Sequence, residues 1–142
     1  MNQGIQFTIL EKSLQLDEQS KIKLWVEHII NAHQAFPGNI NFIFCDDAYL
    51  AELNQKYLKH KSLTDIITFN YNKGHLISGD VFISIERVKE NAGIYNTGFQ
   101  DELKRVMIHG ILHLLGMDDK TDAGVKKMRQ AENAALKQFA FV

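Results

Sequence analysis

The chain has one cysteine, Cys45, and one proline, Pro37. A single thiol excludes an internal disulfide and suits a reducing compartment. Scarce proline and the lack of any low-complexity run argue against a long disordered linker. No apolar stretch approaches the ~20 residues needed to span a bilayer. The opening Met-Asn-Gln-Gly has neither the basic nor the apolar region of a secretory signal. The expected location is therefore cytoplasmic, with no membrane partner. Positive charge is not in excess either: 16 Lys and Arg face 17 Asp and Glu, a formal net charge of −1. Any contact with nucleic acid must then rest on a local basic surface.

What is present suits one globular domain over residues 1–142, 45% hydrophobic and 23% charged. Residues 5–10 alternate apolar and polar and predict a strand. Asp17 is placed to cap a helix reaching about 33, with Ile22, Trp25, Val26, Ile29 and Ile30 at helical spacing. Pro37-Gly38 reads as the stop after it. Residues 39–45 predict a second strand, with Ile40, Phe42 and Phe44 on one face. Asp46 or Asp47 caps a second helix carrying Leu50, Leu53 and Tyr57. Strands are expected at 65–71, rich in β-branched and aromatic residues, and at 79–85. Gly79-Asp80 reads as turn chemistry. Helices follow at about 84–94, 100–115 and 122–139, the last covering the one before it. The order β-α-β-α-β-β-α-α-α predicts an α+β fold: a mixed four-stranded sheet packed with helices, its metal site on a central buried helix.

That site is predicted from the run HGILHLLGMDD, residues 109–119. In a helix, His109 and His113 leave one face a turn apart, close enough to share an ion. Gly116 can take positive φ and turn the chain back, so that Asp118 or Asp119 supplies a third ligand. Three protein ligands with a position left for water is the pattern of catalytic zinc. Buried histidines can instead simply hydrogen-bond core neighbours, but the glycine and aspartates at fixed offsets favour the metal. The spacing matches H-E-x-x-H-x-x-G-x-x-H metalloproteases, with two departures. Gly110 stands where their glutamate base would be, and Asp119 where their third histidine would be. A water bound to the metal is the expected nucleophile; no general base is identified. Cys45 reads as a core residue. His28 and His33 have poor spacing for a shared metal and read as surface or interface residues, and His75 lies in the hairpin loop between 71 and 79 with no assigned role.

The same run resembles the H-G-x-L-H-L-x-G-x-D-H motif of the YbeY family of bacterial endoribonucleases, also called rRNA maturation factors. Leu53-Asn54 and Tyr57 resemble the family's L-N-x-x-Y-R, residues 64–69 its T-D-V-L-S-F, and residues 79–84 its G-D-I-x-I-S. Glu102-Leu103, Met128 and Glu132 fit further family positions. The resemblance spans about 40–136. It implies a single-strand-specific, metal-dependent endoribonuclease of rRNA 3′-end maturation and ribosome quality control, with RNA and the small ribosomal subunit as partners. It implies His109, His113 and, by position, Asp119 as ligands of one zinc ion. A carboxylate in the third place broadens the choice toward other divalent transition metals such as manganese or iron. Leu58 stands where the family has an arginine toward substrate phosphate. Lys59 and Lys61, in the most basic stretch with Lys56 and His60, are the candidate phosphate contacts, or else a solvated loop face. Two rivals remain: a metallopeptidase, which Gly110 disfavours, and a non-enzymatic ribosome-assembly factor.

Overall fold

A computed structural model describes residues 4–58 and 65–142. Along the chain run β1 (Ile5–Ile9), α1 (Gln19–Ala32), β2 (Phe36–Cys45), α2 (Asp47–Leu53), a π-helical turn (Asn54–Leu58), β3 (Ile66–Asn70), β4 (Leu76–Ser84), α3 (Ile85–Ile94), α4 (Phe99–Leu114), α5 (Asp122–Gln138) and a short 3-10 turn (Phe139–Phe141). The sheet order is β1-β2-β4-β3. β1, β2 and β4 are parallel, and β3 lies antiparallel at the edge beside β4. This is the mixed four-stranded α+β sheet that the element order predicts.

Alternation along β2 explains the two layers. Ile40, Phe42 and Phe44 point to one side and are fully covered, together with Ile22, Trp25, Val26, Ile29 and Ile30 of α1 and the apolar face of α4. Burial of side chains of this size contributes about 1.5–3 kcal/mol each. The Trp25 indole donates to the Ala135 carbonyl at 2.7 Å, which ties α1 to α5. On the other side of the sheet a smaller cluster of Cys45, Leu50 and Ile67 lies beneath α2. Asp46 caps α2 by accepting from the Tyr49 N–H at 2.8 Å, and Ser84 caps α3 by accepting from the Arg87 N–H at 3.3 Å.

Three local readings are corrected. The helix-start position of α1 is Glu18, in left-handed conformation at φ 58°, and no side chain caps it. The buried Leu14 and Leu16 anchor the preceding segment, so packing sets the start rather than Asp17. Pro37-Gly38 lies inside β2, not beyond a stop. The ladder to β4 is irregular between Pro37 and Ile40, which accommodates the missing proline N–H. Gly79-Asp80 sits within β4, paired with β2 and β3.

α4 is the central helix. Leu103, Val106, Met107, Ile108, Ile111, Leu112 and Leu114 are all buried. It approaches β3 and β4 so closely that a methyl at Gly110 would lie 2.8 Å from both Ile66 Cδ1 and Val81 Cγ1. Ridge-to-sheet contact at this glycine fixes how far the flanking histidines stand from the strands.

Candidate metal centre

His109 and His113 leave α4 one turn apart and both reach backbone or side-chain acceptors through Nδ1. His109 Nδ1 lies 2.6 Å from Glu132 Oε2 on α5. His113 Nδ1 lies 3.1 Å from the Met117 carbonyl. A carboxylate and a carbonyl only accept, so each Nδ1 carries the proton and donates it. Each Nε2 is left with its lone pair. The two Nε2 atoms face each other at 3.0 Å, with the rings near perpendicular. Asp119 Oδ2 lies 3.5 Å from the first and 3.8 Å from the second.

The chain reaches this arrangement through Gly116. Its φ of 99° ends α4, and the Gly116 and Met117 N–H groups return to the carbonyls of His113 and Leu112 at 3.0 Å each. Thr121 then caps α5 by accepting from the Gly124 N–H at 2.9 Å. Between these two helix ends the two aspartates diverge. Asp119 turns to the imidazoles. Asp118 accepts from the Lys120 N–H at 3.2 Å and borders a separate depression with Thr121 and Gly124.

The donor set fits a metal ion. A four-coordinate ion with bonds of about 2.1 Å has ligand-to-ligand edges of about 3.4 Å. The three separations here, 3.0, 3.5 and 3.8 Å, bracket that value. Among the described residues, His109, His113 and Asp119 are the one group of three such side chains close enough to hold an ion. His28, His33 and His75 join no such group. Cys45 is buried, and burial, with Asp46 and Asp47 beside it, pushes its thiol up to about 12, which rules it out as a nucleophile.

Charge around the rings shows the same convergence. Burial disfavours charge on His109, but the bond to Glu132 and the fields of Glu132, Asp119 and Asp65 outweigh it and raise its pKa. Burial and the neighbouring His109 lower that of His113. Burial acts to raise Glu132, yet the bonds from His109 and Arg105 prevail and hold it below the usual carboxylate range.

Glu132 is the residue whose role sequence reasoning missed. Its other oxygen accepts from Arg105 Nη1 at 2.9 Å, and Arg105 Nη2 donates to Asn133 Oδ1 at 2.9 Å. This Arg–Glu–His chain orients the ring and fixes its tautomer. A family position was the one signal for Glu132, since no local spacing links residues 109 and 132. Gly110 also gains a reason. Its Cα faces the sheet, where a methyl would already press on Ile66 and Val81 at 2.8 Å, so a glutamate there would point into the sheet and not toward the ligands. Lys59 and Lys61 lie outside the described residues. Lys56 is described, and its ammonium stands 5.3 Å from the Tyr57 ring centre.

Comparison with known proteins agrees with this geometry. The family model described as Endoribonuclease YbeY matches residues 6–140. A protein named Endoribonuclease YbeY from Flavobacterium psychrophilum is 49% identical over 129 residues, 91% of this chain and 92% of that one. Its namesake from Flavobacterium johnsoniae is 46% identical, covering 91% and 93%. The solution structure of a Thermotoga maritima protein superposes with a TM-score of 0.64 at 26% identity, over 95% of this chain and 88% of the other. The histidine pair held on a buried helix, the aspartate brought back by Gly116 and a family match over nearly the whole length lead to one conclusion: this chain belongs to the YbeY endoribonuclease family.

Proposed function

We propose that residues 1–142 form one catalytic domain, a cytoplasmic, metal-dependent endoribonuclease. Its ligands are His109, His113 and Asp119, and its ion is zinc. It cuts single-stranded RNA in maturing the 3′ end of small-subunit rRNA and in ribosome quality control. The observation that carries the metal reading is the meeting of three acceptor atoms, two Nε2 and one Oδ2, with no donor among them. Such a point is repulsive unless a cation or proton occupies it.

When bound, the ion supplies a Lewis acid and a water acidified toward neutral pH. The chain's own contribution is orientation. Glu132 and the Met117 carbonyl hold the protons on Nδ1, so both Nε2 lone pairs are presented without a tautomer change. The Asp119 carboxylate, its side chain 39% exposed, is the ligand nearest to solvent and so lies on the side from which RNA arrives. Lys59 and Lys61 supply point charges toward the RNA backbone. The relatives' names supply the RNA reading, and the covered Gly110 position removes the peptidase base. No helix of the described residues is long and apolar enough to cross a membrane.

The test is elemental analysis of protein purified without chelator, run beside cleavage of single-stranded RNA, duplex RNA and casein. About one transition metal per chain and cleavage of single-stranded RNA alone are expected, with both lost in His109→Ala. Metal-free protein that cleaves RNA normally would sink the reading.

A further inference from the structure

Beside the three ligands, α3, α4 and α5 border an open cavity of about 250 Å³ whose lining includes His109 and Asp119 at one end and Glu102 at the other. Glu102 is 5% exposed. Among the described residues no hydrogen bond or ion pair reaches its carboxyl group, which faces the cavity. Burial raises its pKa, with Arg105 opposing and Asp65 adding to the rise. Arg105, one turn along α4, is committed to Glu132 and Asn133 instead. Its oxygens open onto the cavity instead of being sealed in the core, so a donor from outside the chain can reach them.

The rest of the cavity narrows the donor's chemistry. Asp65 stands on the opposite wall, its carboxylate accepting from Asn91 at 3.4 Å. Val106 and Met128 give apolar contact. Tyr95, 61% exposed, stands at the mouth. Arg105 and Arg129 also line the cavity, but both face Glu132, at 2.9 and 3.9 Å. The groups left for a ligand are therefore acceptors, which with the aromatic ring at the entrance suit a planar base rather than a phosphate. Glu102 and His109 are seven residues apart on one helix, two turns or roughly 10 Å. The ribose and base of one nucleotide bridge such a span when its phosphate lies at the ligands.

We propose that this cavity is a base-recognition subsite that takes a guanine adjoining the scissile phosphate, Glu102 accepting from its N1–H and its exocyclic amino group. A carboxylate offers two acceptors side by side, and guanine alone offers two parallel donors. Adenine and cytosine set a ring acceptor beside their amino group, and uracil sets carbonyls on both sides of its N–H. The proposal rests on the ribonuclease reading for its position along RNA, but not for its binding chemistry.

The experiment titrates GMP, AMP, CMP and UMP into the metal-loaded full chain, following the Val106 and Met128 methyl signals by NMR. GMP should bind at least about tenfold more tightly than the others, as expected for a matched bidentate pair. Glu102→Gln, which keeps one acceptor and adds a donor, should remove that advantage. Tyr95→Ala, at an exposed position that tolerates change, should weaken all four nucleotides alike. Equal affinities in the wild-type protein, signals that do not move, or a guanine preference that survives Glu102→Gln would overturn the proposal. RNA oligonucleotides differing in one guanosine separate the two readings. GMP binding without any cleavage would refute the ribonuclease and leave the subsite standing. Cleavage indifferent to guanosine, with no GMP binding, would do the reverse.

Discussion

Glu132→Gln isolates what the carboxylate behind His109 contributes to metal binding. Glu132 serves two donors at once, Oε2 taking His109 Nδ1–H at 2.6 Å and Oε1 taking Arg105 Nη1 at 2.9 Å. A glutamine of the same size has one acceptor and one donor end, so one of the two partners must face an NH2 group. Arg105 is the cheaper partner to disappoint, because its side chain is 24% exposed and retains Asn133. The amide oxygen will therefore stay on His109, whose orientation survives while the negative charge behind it is lost. Loss of such an outer partner costs about 10–100-fold in affinity, about 1.4–2.7 kcal/mol. Glu132→Ala, which also frees the ring to rotate, should reach the upper end or beyond. Competition for zinc against a chromophoric chelator measures both variants. A Glu132→Gln protein that binds zinc as the wild type does would refute the argument that this carboxylate tunes the ligand.

Acid should release the ion, because binding displaces the proton that Glu132 favours on His109. In metal-free protein the raised His109 pKa stabilises the fold below the unfolded histidine value of about 6.5. That stabilisation fades as pH rises through the raised folded value. The lowered Glu132 pKa stabilises above the ordinary 4.5 and is lost as pH falls through the depressed value. Thermal melts in chelator should then show the wild type most ahead of Glu132→Gln between those limits; a gap that is constant with pH would count against the pair. Asp119→Ala should abolish metal retention and Asp118→Ala should leave it, by elemental analysis, with Asp119→His restoring it; equal losses in both alanine variants would remove the distinction between the two aspartates. Gly110→Ala gains up to about 1 kcal/mol in helix propensity but overpacks Ile66 and Val81 at about 1–3 kcal/mol. A net loss of about 1 kcal/mol should lower Tm by roughly 3–5 °C, and a higher Tm would mean that α4 can retreat from the sheet.

Most of the fold was legible because its signals are local. The apolar spacing of Ile22, Trp25, Val26, Ile29 and Ile30 needs no partner to be read as one helical face, and all five are buried. The alternation of Ile40, Phe42 and Phe44 places them together on the helix-covered side of β2. Local rules failed where packing overruled them. Pro37-Gly38 has the chemistry of a stop, yet parallel pairing with β4 carries β2 through it. Asp17 has the chemistry of a cap, yet the covered Leu14 and Leu16 shift the start of α1 by one residue.

The candidate site divides in the same way. Four-residue spacing on a helix is a property of the chain, so His109 and His113 were set on one face by the sequence alone, and Gly116 supplied the reversal by its freedom at positive φ. Which aspartate returns to them was not, because residues 118 and 119 differ only in how the turn between α4 and α5 rotates them. Packing of α5 on α4 decided that, and it also brought Glu132 from 23 positions away to 2.6 Å from His109. It formed the cavity beside Glu102 as well. The sequence by itself determined the two imidazoles and the bend after them, through backbone geometry within one turn. Only the tertiary structure decided the third acceptor, the buried carboxylate behind the first ring and the reason for Gly110, because each depends on surfaces that meet only when the helices dock.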